Sequence, residues 1–386
     1  METLTLKPEM GMETPQHNKN QTATVQSWKP QGWFEWCLLI VMQLGWITMI
    51  CATSSSLESF LTLPSGVFYL YVQALVILFG VIGWMRNDKY VWPFMLFSAG
   101  ALFWDWGWHP FGSTIKDNDI SVMTWNIQGS YSLENDRTCA TKFLQQWTDS
   151  AQTPVFLFQE VRQSHRKTIE RAINGHCEWN SYFSSSKEGL LICAHKDWTF
   201  KYKNHRSMDT GSSYGFQQLE VSNKKNKQTF NVLNVHLPSL YLTMRRSKGT
   251  FVTKTNEMSL SDFVKANLRK NPSPIPYLRL LNNQVTAHQS SIQSVVDLVS
   301  KLNDPTLVGG DFNMPSTAPV HDSLLNIDMR DAHIEAGWGW DFTKFGLGRI
   351  DYLYANKNTE WVGSTIVHSD VTCSDHAPVS AVLSLP

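Results

Sequence analysis

The chain has 386 residues, enough for one large domain or two ordinary ones. Hydrophobic residues make up 42% and charged residues only 17%, a charged share below the roughly 25% of soluble domains, which points to apolar spans. Lysine plus arginine balances aspartate plus glutamate at 33 each, so no global basic field marks a nucleic-acid binder, although a locally basic site stays open.

Residues 1–31 are polar, show no apolar period and read as a disordered tail. Apolar runs follow at 33–52, 63–85 and 90–108, each near the roughly 20 residues that a helix needs to cross about 30 Å of hydrocarbon. Glu35, Gln43 and Thr48 interrupt the first run, and the second contains no charge. The third carries Pro93 and Asp105, with Trp104, Trp106 and Trp108 beside the carboxylate, as in an aromatic belt at the membrane interface. Residues 32–110 are therefore expected to form a membrane anchor of three transmembrane helices. The polar stretch is too long for a signal-peptide n-region and the first run too long for an h-region, so the first span is expected to stay uncleaved. Lys7, Lys19 and Lys29 mark the tail, Arg86 and Lys89 mark the second loop, and the loop over 53–62 has no lysine or arginine. Positive charge favours the tail and the second loop inside. Three spans then put all that follows on the extracytoplasmic side of a plasma or inner membrane.

Residues 118–386 read as one α/β domain. Ile120–Trp125, Val155–Phe158, Gly189–Ala194, Thr229–Leu237 and Pro305–Gly309 are short runs rich in strand formers. Ser213–Ser222, the polar turn Asn223–Asn226 and the run from Thr229 read as a hairpin, and Leu280–Leu302 has helical spacing. Cys37 and Cys51 fall in the first span. Cys139, Cys177, Cys193 and Cys373 lie in the domain, an even count that suits an oxidising compartment and leaves three pairings open.

Six short polar pieces follow apolar strands in this order: Thr124-Trp125-Asn126, Gln159-Glu160, Asn234-Val235-His236-Leu237, Gly310-Asp311-Phe312-Asn313, Arg349-Ile350-Asp351-Tyr352 and Ser374-Asp375-His376. Singly, each has an ordinary explanation as a turn cap, a solvated acid or a surface pair. Together they would converge at one edge of a sheet, and burying so many polar groups without a function is costly.

The six pieces in this order resemble the motif set of the endonuclease/exonuclease/phosphatase superfamily, over roughly residues 118–386. The resemblance implies a four-layer α/β/β/α sandwich (DNase I-like), here preceded by the three transmembrane helices, and a metal-dependent phosphoester hydrolase. It implies Glu160 as principal ligand of Mg²⁺ or Mn²⁺, with Asn126 beside it and Asp375 as a second carboxylate on the metal side. Asp311 would orient or deprotonate the attacking water, and Asn313 would hold that water or a phosphate oxygen. His376, oriented by Asp351, would bind non-bridging oxygens, while His236 would stabilise the developing charge or protonate the leaving group. Gln159 would support the Glu160 loop. Arg349 reads as a structural brace before a phosphate contact. Abasic-site endonucleases carry tyrosine in place of His236, and inositol polyphosphate 5-phosphatases carry Cys-Asp-Arg at the position of Arg349-Ile350-Asp351, so both narrower assignments lose ground.

Residues 242–275 hold Arg245, Arg246, Lys248, Lys254, Lys265, Arg269 and Lys270 against Glu257 and Asp262, a net of plus five. One reading is a solvated loop. The other is a basic lip beside the site, with Arg245, Arg246 and Lys248 as substrate-binding candidates that grip nucleic acid or anionic headgroups. No protein partner can be inferred. The tether to a bilayer favours a lipid-linked or small phosphoester as substrate. A surface-exposed nuclease is the alternative, and a catalytically dead binding module is the reading from a different class.

Overall fold

The computed structural model describes residues 107–108 and 114–386, apart from 129–136, 182–187, 208–213, 239–287 and a few positions within 315–317, 340–341 and 345–347. The apolar runs at 33–52 and 63–85, and the third run up to residue 106, lie outside the described residues, as do Arg245, Arg246 and Lys248. Among the described residues no helix is long and apolar enough to cross a membrane. Gly107 and Trp108, the last two residues of the third run, are paired as a strand, so a spanning helix there would end before them.

In chain order the strands are β1 (Gly107–Trp108), β2 (Ile120–Asn126), β3 (Val155–Arg162), β4 (Gly175–Ser181), β5 (Glu188–His195), β6 (Trp198–Ser207) and β7 (Gly215–Asn223). They continue with β8 (Thr229–His236), β9 (Thr306–Asp311), β10 (Met329–Asp331), β11 (Trp338–Gly339), β12 (Asp351–Asn356), β13 (Glu360–Val367) and β14 (Val379–Ser384). The helices are α1 (Arg137–Ser150), α2 (Arg166–Ala172), α3 (described over 288–299), α4 (Pro319–Leu325) and α5 (Ala332–Ala336). Two six-stranded sheets result, ordered β10-β12-β9-β8-β7-β6 and β13-β14-β2-β3-β5-β4, with β1 and β11 paired separately.

Alternation along the central strands explains why these sheets stack. Ile120, Val122, Val155, Leu157, Val232, Leu307 and Leu353 fill the space between the sheets. The neighbours that point the other way, Met123, Trp125, Phe156 and Phe158, pack under α1 and α2. On the second sheet Leu233, Val235, Val308, Tyr352 and Tyr354 pack under α3 and α4. Strands apolar on both faces are what a sheet covered on both sides requires, and the layer order is α/β/β/α. The hairpin β7–β8 turns at Asn223, whose Oδ1 accepts from the Lys225 amide.

Behind the second sheet, His288 is wholly buried and its Nε2 lies 2.9 Å from the Phe312 carbonyl. Burial pulls its imidazole down to about 4, against the donor bond to that carbonyl. Between about 4 and 6.5 the unfolded chain takes up a proton that the native state refuses, so stability falls as pH falls through that window. The shift corresponds to about 3 kcal/mol. His288→Gln keeps an amide donor for the carbonyl and should flatten this slope. Denaturant unfolding of the chain at pH 7 and pH 4.5 measures it, and parallel slopes for the two proteins would refute the assignment.

Candidate active site

The inter-sheet face changes character toward one end. On β2 the sequence of inward positions runs Ile120, Val122, Thr124, Asn126; on β8 it runs Phe230, Val232, Asn234, His236. On β9 it passes from Leu307 through Gly309 to Asp311, and on β12 from Ala355 back through Leu353 to Asp351. Register places His236 opposite Asp311 and Asp311 opposite Asp351. Two carboxylates directly opposite on neighbouring strands repel each other, so a compensating group is required. Gly310, at φ +151°, permits the approach, since a Cβ there would sit 1.8 Å from the Val235 carbonyl oxygen.

That compensating group is His376. Its Nδ1 donates to Asp351 Oδ2 at 2.9 Å, and its Nε2 lies 3.7 Å from Asp311 Oδ2. Burial pulls this imidazole down, but Asp351 and Asp311 outweigh burial and hold it up at about 9. Asp311, also wholly buried, is pushed up by burial and by Asp351, against His376, His236 and Lys344. Its Oδ1 accepts from the Asn313 amide at 2.8 Å, and its Oδ2 accepts from Asn126 Nδ2 at 2.9 Å. Asn126 donates to Glu160 Oε1 as well, at 3.1 Å, and so ties both sheets to both carboxylates.

Glu160 differs from its expected place after a strand. It lies inside β3, where the pairing with β5 slips between Phe158 and Val161, and it holds φ +57°. A non-glycine residue in that region costs about 1–3 kcal/mol, and a bulge re-aims a side chain. Here the bulge turns a carboxylate toward the site, 29% exposed and 3.8 Å from His236 Nε2. His236 Nε2 also lies 3.5 Å from Asp311 Oδ2, with Tyr214 edge-on to its ring. Gln159 is buried, donating to Thr124 Oγ1 and Asn234 Oδ1, and fixes the base of the bulge between the sheets.

Further candidate residues already have partners within the protein. Asn313, expected on a phosphate oxygen or the water, commits Nδ2 to the Leu237 carbonyl and so locks the end of β8 to the Asp311 loop. Asp375, expected beside the metal, carries Lys344 Nζ on Oδ2 at 2.8 Å. Arg349 is buried, with Nη1 donating to both oxygens of Asp331 and its guanidinium over the Tyr352 ring.

Lys344 and Thr343 were missed. Thr343 Oγ1 accepts from the amides of Ile350 and Asp351, and its carbonyl accepts from Ala377, clamping the Asp351 and His376 segments together. Lys344 Nζ reaches within 2.8 Å of His376 Nε2. An ammonium at that distance needs the nitrogen's lone pair, whereas the flanking carboxylates favour a second proton there. With His376 protonated, Lys344 keeps its bond to Asp375 and leaves Nε2. The one sequence signal was a lysine five residues before Arg349.

Asp311, Asp351 and His376 place ligand atoms within 4.8 Å of one another. His376 Nδ1 is already engaged by Asp351 Oδ2, so the trio forms a hydrogen-bonded unit able to handle a proton. Glu160 supplies a hard carboxylate oxygen at the open side of the site, which suits an oxygen-seeking divalent cation, and buried Asn126 beside it turns Nδ2 to Glu160 while its Oδ1 accepts from the Gln128 amide.

The family model for the endonuclease/exonuclease/phosphatase family matches residues 123–376. The chain belongs to that family. Its members are metal-dependent phosphoester hydrolases, and this chain is a metal-dependent phosphoric ester hydrolase. No curated protein matches the chain. Similar solved structures include an endonuclease/exonuclease/phosphatase from Bacteroides vulgatus, 15% identical at a TM-score of 0.49, covering 69% of this chain and 99% of that one. The human Nocturnin catalytic domain with bound sulfate is 14% identical at 0.46, covering 72% and 97%. The mannosyl-6-phosphatase of Bacteroides thetaiotaomicron is 15% identical at 0.45, covering 69% and 100%.

Proposed function

We propose that the chain is a membrane-anchored, Mg²⁺-dependent phosphoester hydrolase whose catalytic domain faces the extracytoplasmic side and acts on a lipid-linked or small phosphoester. The observation that carries the reading is the buried carboxylate Asp311, set between the His376–Asp351 pair and the Glu160–Asn126 donors. Asp311 orients the attacking water and takes its proton, a task suited to a carboxyl pushed above its ordinary range. His376, kept cationic by Asp351, binds a non-bridging phosphoryl oxygen. His236, beside Asp311, stabilises the leaving oxygen or protonates it. Glu160 and Asn126 hold Mg²⁺, which when bound neutralises charge on the phosphoryl oxygens.

The three apolar runs support the anchor. Disulfides Cys139–Cys373 and Cys177–Cys193 support an oxidising compartment for the domain. The net charge of plus five over residues 242–275 favours a second reading, a surface nuclease whose basic lip, with Arg245, Arg246 and Lys248, grips nucleic acid.

The test is a substrate panel of polar phospholipids, lipid pyrophosphates and DNA, each with Mg²⁺ and with chelator, on the full chain in detergent. Chelator-sensitive turnover of a lipid phosphoester with inert DNA is expected; the reverse selects the nuclease. Protease added to sealed cells or right-side-out vesicles should cut the domain, and protection from it would refute the orientation.

A further inference from the structure

Lys344 is a cation at the active site that no part of the assigned chemistry uses. Its backbone is fixed there: it bridges both Gly348 and His376, and the neighbouring Thr343 carbonyl accepts from the Ala377 amide at 2.7 Å. Its Nζ lies 2.8 Å from Asp375 Oδ2 and 2.8 Å from His376 Nε2, with the side chain 25% exposed. An ammonium has three donors; Asp375 takes one, and once Nε2 carries a proton the other two are open to a ligand.

The charges around it say what that ligand is. Glu160, Asp311, Asp351 and Asp375 crowd the site with carboxylates, a poor setting for a phosphoester anion unless fixed positive charge offsets them. Asp375 is also poorly placed to help hold a divalent cation. Its Oδ2 carries the ammonium, and its Oδ1 lies 3.9 Å from His376 Nε2. A dication on Oδ2 would be forced against the Lys344 ammonium.

We propose that Lys344 is a further catalytic residue that grips a non-bridging oxygen of the transferring phosphoryl group, and that Asp375 is its positioning residue and not a metal ligand. The inference rests on the phosphoester-hydrolase reading of the site. It divides the cationic work: Glu160 and Asn126 hold the metal on one side, while Lys344 and His376 meet the phosphoryl oxygens from the other. A compact ammonium held by one carboxylate can swing from His376 to a substrate oxygen without losing its anchor.

The experiment uses the full chain in detergent, bis(p-nitrophenyl) phosphate as substrate probe and Mn²⁺ as metal probe, with bound Mn²⁺ read by electron paramagnetic resonance on protein without substrate. Lys344→Met should lower kcat/KM by about 10²-fold, the usual loss when one donor to a developing oxyanion is removed, with Mn²⁺ affinity unweakened. Lys344→Arg should recover part of the loss, and Lys344→Gln replaces the methionine variant if that one melts early. Asp375→Asn should lose activity like Lys344→Met while its Mn²⁺ affinity stays within about twofold of wild type, and the double variant should be little worse than either single one. Mn²⁺ affinity weakened tenfold by Asp375→Asn, or activity within twofold of wild type for Lys344→Met, would overturn the proposal. A wild-type protein inert toward the probe and the whole substrate panel would instead sink the hydrolase reading, and the Mn²⁺ titration would still decide whether Asp375 is a ligand.

Discussion

Asp311→Asn is expected to lower kcat by about 10²–10⁴, the range for losing a general base, and added Mg²⁺ should restore none of it. The substitution keeps shape, and its one amide oxygen can keep the bond from the Asn313 amide while its NH2 faces Asn126 Nδ2, so one of the two bonds is lost with the proton acceptor. Burial offsets part of this loss, because an asparagine avoids the desolvation that raises the carboxyl and should not unfold the site. Glu160→Gln makes the control. It also keeps shape, but it removes charge from the open side, where the proposed metal ligand is; activity should fall and recover in part as Mg²⁺ is raised. The measurement is kcat against Mg²⁺ concentration for the two variants, with bound Mn²⁺ counted independently. Wild-type metal dependence for Glu160→Gln, or recovery of Asp311→Asn by metal, would mean that the two carboxylates have each other's jobs.

The contrast between these carboxylates was only half legible in the sequence. Asp311 ends a strand of apolar and glycine residues, and a polar residue at that point announces itself. Glu160 sits in the middle of a strand, and nothing local in Val155–Arg162 shows that pairing with β5 slips there; the bulge depends on a partner strand about 30 residues away. The central strands were readable because each is apolar on both faces. Edge strands β4 and β6 were not, since Gly175–Ser181 and Trp198–Ser207 interleave polar residues on faces that see solvent. Lys344 was invisible for a third reason. Its position depends on Thr343 and Ala377 meeting through backbone atoms, which leave no trace in residue types. Arg349 was readable as a brace, but its partner Asp331 lies on β10, a strand too short to show a period.

Removing both cysteines of the Cys139–Cys373 bridge is expected to cost more than any single surface change, because of where the bridge is and how much chain it closes. It links the first turn of α1 to the residue before Ser374-Asp375-His376 and spans a sequence separation of 234. On the chain-entropy model a loop of that length contributes about 5 kcal/mol, and the 16-residue separation closed by Cys177–Cys193 contributes about 3 kcal/mol. The second bridge joins directly opposed residues of β4 and β5, at the sheet edge and away from His376. The two should therefore separate stability from catalysis. Cys139→Ala with Cys373→Ala should lower both the melting temperature and kcat, since the segment that presents His376 to Asp351 is then held mainly by Ser374 Oγ donating to the Asn126 carbonyl and Trp125 Nε1 donating to the His376 carbonyl. Cys177→Ala with Cys193→Ala should lower the melting temperature alone. Thermal melts, with kcat measured well below both transitions, decide the matter. An unchanged kcat in the first variant would show that the backbone clamps around Thr343 and Ser374 suffice to aim His376, and that the bridge serves stability only.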